Sequence, residues 1–338
     1  SSWWVNSLGH SRPEITHALA SQHTQLDHVL FAGATHEPAA KLAARLIELT
    51  GDRFARVFYS DNGSTSVEVA LKMAVQFWAN RGEPQRKKIV AFRGSYHGDT
   101  FGAMSIGAES GFFGPFRPLL FPVEWADIPS QHPSRLCPNG ADDYHERLAR
   151  FEELLIRERS QIAAVIMEPL VQGAAGMIVH SQAWVQAVAT LCRASEIPLI
   201  LDEVFTGFGR TGANFAFERA GVSPDIVCLS KAITGGTLPL AATLATSEIF
   251  QAFLSSDKRD AFLHGHSYTA NPIGCRVALV AVDLFQQEKL AARSLWLEAT
   301  YRKWWESLPP NWIRNPRSLG SILAFELVST GGDDYFNS

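Results

Sequence analysis

The chain has 338 residues, of which 46% are hydrophobic and 19% charged. That is the composition of a soluble globular protein long enough for a large core and about two domains. A net charge of −4 and a pI near 6.3 give no electrostatic footprint for nucleic acid or an anionic membrane surface, and no apolar run approaches the roughly 18–20 residues of a membrane span.

The four cysteines, Cys137, Cys192, Cys228 and Cys275, are widely separated, with no CxxC pair and no His/Cys cluster. The expectation is therefore reduced thiols, no metal site and a cytoplasmic location. The chain opens Ser1-Ser2-Trp3-Trp4 and ends Asp333-Asp334-Tyr335-Phe336-Asn337-Ser338; both ends read as cut.

Val57-Phe58-Tyr59-Ser60 reads as a short strand. It runs into Asp61-Asn62-Gly63-Ser64-Thr65 and a helix from about Ser66 to Ala79, with Val67, Leu71, Ala74 and Trp78 on one face and a Glu68/Lys72 pair on the other. The start of that helix is either an anion site, built from backbone amides, the helix dipole and two hydroxyls, or a plain N-cap provided by Ser64 or Thr65. Lys88–Phe92 is the next strand, followed by Arg93-Gly94-Ser95-Tyr96-His97-Gly98-Asp99-Thr100. Tyr96 there stacks on a flat aromatic ligand or simply packs; His97 and Asp99 read as turn residues. The segment 112–140 holds six prolines and little periodicity, which predicts a long surface excursion.

Ile162 to Met167 is a strand ending at Glu168-Pro169, and Ala183 to Ala194 a helix. Pro198-Leu199-Ile200-Leu201 is an apolar strand ending at Asp202-Glu203-Val204, followed by a Gly-rich loop that carries Arg210. Ile226 to Leu229 ends at Ser230-Lys231, and a further apolar stretch spans Leu238 to Ala245. Asn271-Pro272 opens a long helix, an amphipathic segment covers Leu290 to Trp305, and Gly320 to Leu327 reads as a strand of a smaller domain.

Strands alternating with helices predict a mostly parallel, doubly wound α/β sheet, in which ligands bind off the carboxyl ends of the strands. The Gly63-Ser64 turn, Glu168, Asp202 and Lys231 all fall at such ends. A buried ammonium is costly unless it is paired or chemically used. A strand-end lysine and a strand-end aspartate suit pyridoxal phosphate, held by the lysine as a Schiff base and kept protonated at its pyridine nitrogen by the aspartate. Asp202 and Glu203 are neighbours on a strand and point to opposite faces, so one faces the cofactor, the other is structural, and a shared metal is not expected.

Five motifs together resemble the fold-type I, class III pyridoxal-phosphate aminotransferases over essentially the whole chain. They are Asn62-Gly63-Ser64, Ser95-Tyr96-His97-Gly98, Asp202-Glu203-Val204 with its Gly-Phe-Gly-Arg-Thr-Gly tail, Ser230-Lys231, and 264–272, His-Gly-His-Ser-Tyr-Thr-Ala-Asn-Pro. The resemblance implies a large cofactor domain over residues 1–286, with an N-terminal segment at the substrate pocket, and a partial small domain over 287–338. It implies catalytic roles for Lys231 and Asp202, a phosphate grip by Gly63 and Ser64, and ring stacking by Tyr96. Ser267 would reach the cofactor phosphate of the other subunit in a homodimer with shared sites. Trp3, Trp4, Asp99 and Arg210 would line or approach the substrate. Within the class, Trp3-Trp4, Gly33-Ala34-Thr35-His36-Glu37-Pro38-Ala39 and the run 96–105 are most similar to the subfamily of biotin biosynthesis. Members of that subfamily move an amino group from S-adenosylmethionine to 8-amino-7-oxononanoate. An ornithine, 4-aminobutyrate or lysine donor is the alternative, and a non-catalytic relative the third reading. The arginine that binds the substrate carboxylate in this family is expected beyond the chain end, since Arg314 and Arg317 do not match its position.

Overall fold

A computed structural model describes residues 2–107, 111–129, 143–309 and 312–327. Cys137, the end of the proline-rich segment and residues 328–338 lie outside them.

Helices α1 (Pro13–Gln25) and α2 (Glu37–Leu49) precede strand β1 (Arg56–Ser60). Then follow α3 (Gly63–Asn80), β2 (Lys88–Phe92), α4 (Phe101–Ser105), β3 (Glu124–Ala126), α5 (Tyr144–Glu158) and β4 (Ile162–Met167). A small hairpin, β5 (Val171–Gln172) and β6 (Ile178–Val179), leads into α6 (Gln182–Ala194), β7 (Leu199–Asp202), α7 (Ala216–Ala220), β8 (Ile226–Leu229) and β9 (Ala241–Ala245). The chain continues through α8 (Ser247–Gln251), α9 (Pro272–Gln287) and α10 (Leu290–Glu306) to a hairpin of β10 (Ile313–Leu319) and β11 (Ile322–Leu327).

Seven strands form one sheet in the order β1-β9-β8-β7-β4-β2-β3. The five from β8 to β3 are parallel, and β9 runs antiparallel between β8 and β1. The central strands are buried on both faces, which is why they read as unbroken apolar runs. Alternate residues feed two cores. Val165, Met167, Leu199, Leu201, Val227 and Leu229 join one cluster. Ala164, Ile166, Ile200, Ile226 and Cys228 join the other, against Val67, Leu71, Ala74 and Trp78 of α3. Cys192, Cys228 and Cys275 are free and buried. Among the described residues no helix is long and apolar enough to cross a membrane.

Three local expectations are corrected. Helix α3 starts at Gly63, not Ser66, because its N-cap is Asn62: the Asn62 side chain accepts from Thr65 N–H while the Thr65 hydroxyl accepts from Asn62 N–H. Ser64 is not the cap, and its hydroxyl points to Thr100 instead. The Glu68/Lys72 pair does not form. Glu68 Oε1 accepts from the Thr100 hydroxyl at 2.5 Å and from the amides of Gly102 at 2.7 Å and Ala103 at 3.1 Å, whereas Lys72 Nζ lies 2.8 Å from His264 Nδ1. Unpaired amides at the start of α4 are better partners for a carboxylate than an exposed lysine. The proline-rich segment is not all excursion: it contains a 3₁₀ stretch, Gly111–Leu119, and the edge strand β3.

Candidate active site

The parallel strands β2, β4, β7 and β8 bring their carboxyl ends to one edge of the sheet, and β1, reversed twice through β9, ends there too. That edge collects Gly63 and Ser64 after β1, Tyr96 and His97 after β2, Glu168 after β4, Asp202 on β7 and Lys231 after β8.

Lys231 opens a 3₁₀ turn, Lys231–Thr234, with a left-handed φ of 48°. A non-glycine residue in that region is held there by its surroundings, and such strain clusters at functional sites. Burial pushes its amine below the ordinary lysine range, partly opposed by the Asp202 and Glu168 carboxylates and reinforced by Arg210.

Asp202 is buried and paired in register with Cys228 on the strand preceding Lys231. Its Oδ2 lies 2.7 Å from His97 Nδ1, and its Oδ1 accepts the Val204 amide at 3.0 Å. His97 is buried, with its Nε2 lacking any hydrogen-bond partner. Glu203 faces the other way: its carboxylate accepts from the Thr206 hydroxyl at 2.5 Å and from the Ala216 and Phe217 amides at 3.0 and 2.7 Å. It pins the Gly-rich loop to the start of α7, and burial pushes its carboxyl up to about 7.

The Tyr96 amide donates to Glu168 Oε2 at 3.2 Å, its hydroxyl donates to Asp99 Oδ2 at 3.0 Å, and its ring stacks with Phe113 at 6.2 Å and 21°. Burial, then the bond to Asp99, raises the Tyr96 phenol. Glu168 also accepts the Gly173 amide at 3.2 Å, and burial pushes its carboxyl up to about 7. Ser64 Oγ lies 2.7 Å from Thr100 Oγ1 and accepts the Thr100 amide at 3.0 Å. The approach is close. A Cβ on Gly63 would meet Val204 Cγ1 at 2.6 Å, and one on Gly98, whose φ is 118°, would overlap Ser64.

Arg210 is tied down: it donates to the Trp4 carbonyl at 2.9 Å and to Ser321 Oγ at 3.2 Å, and its guanidinium sits 5.5 Å from the Trp4 ring centroid. Burial lowers its pKa from the ordinary arginine value. The Trp4 ring meets Phe205 edge-on at 5.0 Å, whereas Trp3 stands 87% exposed. Ser267 is exposed in the turn before α9. Asp99, exposed, borders a cavity of about 550 Å³ with Thr100, Phe101, Met104, Phe113 and Phe116.

The strand-end position of Glu168 is legible in the sequence. His97, Glu68, Thr100 and Phe205 are not recognised there as members of this neighbourhood and are identifiable only by what they touch.

A model of the family described as aminotransferase class-III matches residues 1–336. The chain belongs to this family. The adenosylmethionine-8-amino-7-oxononanoate aminotransferase of Synechococcus elongatus is 46% identical over 98% of the chain and 77% of that protein. The enzyme of the same name from Geobacter sulfurreducens is 43% identical over 96% and 72%. Among solved structures, the Methanocaldococcus jannaschii enzyme of that name superposes with a TM-score of 0.86 at 35% identity, covering 96% of this chain and 73% of that one. An amine transaminase from an uncultivated Pseudomonas species, solved in its PLP-bound form, gives 0.88 at 34%, covering 97% and 75%. As a class III aminotransferase the chain uses pyridoxal phosphate. The residues present fit that group. They offer a lysine amine shifted toward its neutral form, a buried carboxylate one strand away, and a helix N-terminus approached through two glycines.

Proposed function

We propose that this chain transfers an amino group from S-adenosylmethionine to 8-amino-7-oxononanoate, giving 7,8-diaminononanoate for biotin biosynthesis, in two half-reactions on one cofactor. Relatives named for this reaction, at up to 46% identity, support the substrates. The observation that carries the chemistry is the buried Lys231 amine, its pKa lowered by burial, just after the strand next to the one that ends in Asp202.

Bound at the strand ends, pyridoxal phosphate would supply an electron-poor ring that stabilises the charge developing as the amine-bearing carbon loses its proton. Lys231 would hold the cofactor through Nζ, and the same nitrogen would carry the proton released from the amine-bearing carbon. Asp202, oriented by His97, would present its carboxylate to the ring nitrogen and keep it protonated. Tyr96 would lie against the ring, and Gly63 and Ser64 would receive the phosphate at the start of α3. Trp4 and Trp3 border the substrate, with Asp99 and Arg210 near it. Ser267, exposed in one chain, reaches the cofactor phosphate of a second copy in a cytoplasmic homodimer. The large domain ends near residue 286.

Two measurements test this. Borohydride reduction should fix the cofactor on the Lys231 peptide, and Lys231→Ala should abolish the adduct; an adduct on any other lysine sinks the assignment. In single turnovers, S-adenosylmethionine should convert the cofactor to its amino form. Conversion by ornithine, 4-aminobutyrate or lysine alone would shift the chain to another donor within the class.

A further inference from the structure

Glu68 follows Ser64 by one turn of α3, so the two side chains share a face of that helix. The segment after Tyr96 is docked on this face at two glycines: a Cβ on Gly98 would overlap Ser64, and one on Gly102 would overlap the Glu68 carboxylate. Thr100 is the N-cap of α4, yet its side chain makes no cap bond. Glu68 Oε1 serves that helix start from outside, accepting the Thr100 hydroxyl and the Gly102 and Ala103 amides. A carboxylate only accepts, so the Thr100 proton goes to Glu68. Thr100 Oγ1 is then left to accept, and Ser64 is the donor across their 2.7 Å contact. Ser64 Oγ in turn accepts the Thr100 amide. One carboxylate thus fixes the direction of the whole chain, from Ser64 to Thr100 to Glu68.

We propose that Glu68 is a positioning residue for the phosphate grip: by taking the Thr100 proton it keeps the Ser64 hydroxyl a donor, held at the start of α3 and ready to turn its proton to a phosphate oxygen. The proposal rests on the reading of Gly63 and Ser64 as the phosphate-binding pair. Without Glu68, the Thr100 hydroxyl is free to donate to Ser64 Oγ, and the segment that follows Tyr96 and His97 loses three bonds. Charge argues for this directional role. A carboxylate one turn from a phosphate site repels the ligand, and Lys72, the cation one turn further along α3, is turned to His264. The benefit of Glu68 is therefore that of an acceptor, which an uncharged amide oxygen in the same place also provides.

Equilibrium dialysis of the apoprotein against pyridoxal 5′-phosphate and against pyridoxal, which lacks the phosphate, tests this. The ratio of the two affinities isolates the grip on phosphate from ring contacts and from the fold. Ser64→Ala should cut that ratio about tenfold, the effect of one hydrogen bond to a charged group. Glu68→Ala and Thr100→Val should each cut it about fivefold while pyridoxal binds within about twofold of parent. In a Ser64→Ala background both should change the ratio by less than about twofold, because the hydroxyl they direct is gone. Glu68→Gln, with its amide oxygen in the place of Oε1, should keep the parent ratio. Thr100→Val leaves the Glu68 bonds to Gly102 and Ala103 in place, and serves if Glu68→Ala does not fold. An unmoved ratio in Glu68→Ala and Thr100→Val, an equal loss for both ligands, or losses that add to that of Ser64→Ala would overturn the proposal. A Ser64→Ala ratio equal to the parent's would instead overturn the reading of Ser64 as a phosphate residue.

Discussion

His97 Nδ1 lies 2.7 Å from Asp202 Oδ2, joining the loop after β2 to the end of β7 inside the protein. Its other oxygen, Oδ1, accepts the Val204 amide. Hydrogen bonds to charged groups contribute about 1.5–3 kcal/mol. His97→Ala should therefore weaken cofactor retention about ten- to a hundredfold by equilibrium dialysis, with a fall in kcat as Asp202 loses its orientation. Unchanged retention would reduce the pair to packing.

Glu203→Gln replaces a buried acceptor of three bonds with an amide that must turn a donor toward one of the donors it now receives. The expected cost is about 1–3 kcal/mol in urea denaturation. The pH dependence has a definite sign. The folded-state carboxyl is raised from 4.5 to about 7, so its contribution to stability is complete below 4.5 and lost as pH rises through 7. The parent apoprotein should lose melting temperature over that window and the variant should lose less. Glu168, raised to about 7 by its own burial, leaves a residual slope.

Arg210→Ala removes the donors to the Trp4 carbonyl and to Ser321, freeing the N-terminal segment from the Gly-rich loop. Each lost bond is worth about 1 kcal/mol, or about fivefold in the opening equilibrium. Chymotryptic cleavage beside Trp3 and Trp4 should accelerate at least by that factor. A cleavage rate equal to the parent's would show that the ring contact with Phe205 holds the segment unaided.

Gly98→Ala puts a methyl group into Ser64 at a φ of 118°. Strain of this kind costs about 1–3 kcal/mol. The Ser64–Thr100 contact should open, and affinity for inorganic phosphate or cofactor should fall together with the melting temperature. A loss of stability with unaltered anion binding would separate Ser64 from the phosphate grip.

Much of this site is legible in the chain because the strands that carry it are buried on both faces. Ile162–Met167, Leu199–Asp202 and Ile226–Leu229 each stand out as apolar runs that stop at a charged or polar residue. Other parts have no local signal. The partner of His97 lies 105 positions away, so a buried, bonded imidazole looks like a turn residue. Strand β10 contains Asn315 and Pro316 and carries a register shift, which hides it among loops. Strand β3 spans only three residues next to a proline-rich stretch. The start of α3 is masked by Gly63, a poor helix former whose place is set by the Asn62 cap and the closeness of Val204.

Gly63, His97, Glu168, Asp202 and Lys231 come from five different strand ends, and they meet only when the sheet is assembled. With the proposed site assembled from all five ends, no contiguous piece of the chain would bind the cofactor in miniature. Occupancy is therefore thermodynamically linked to the assembled sheet: cofactor at a hundred times its dissociation constant would stabilise the fold by about 2.7 kcal/mol. A substitution deep in the β4–β7–β8 core, far from any reacting atom, would then show itself first as a protein that loses its cofactor.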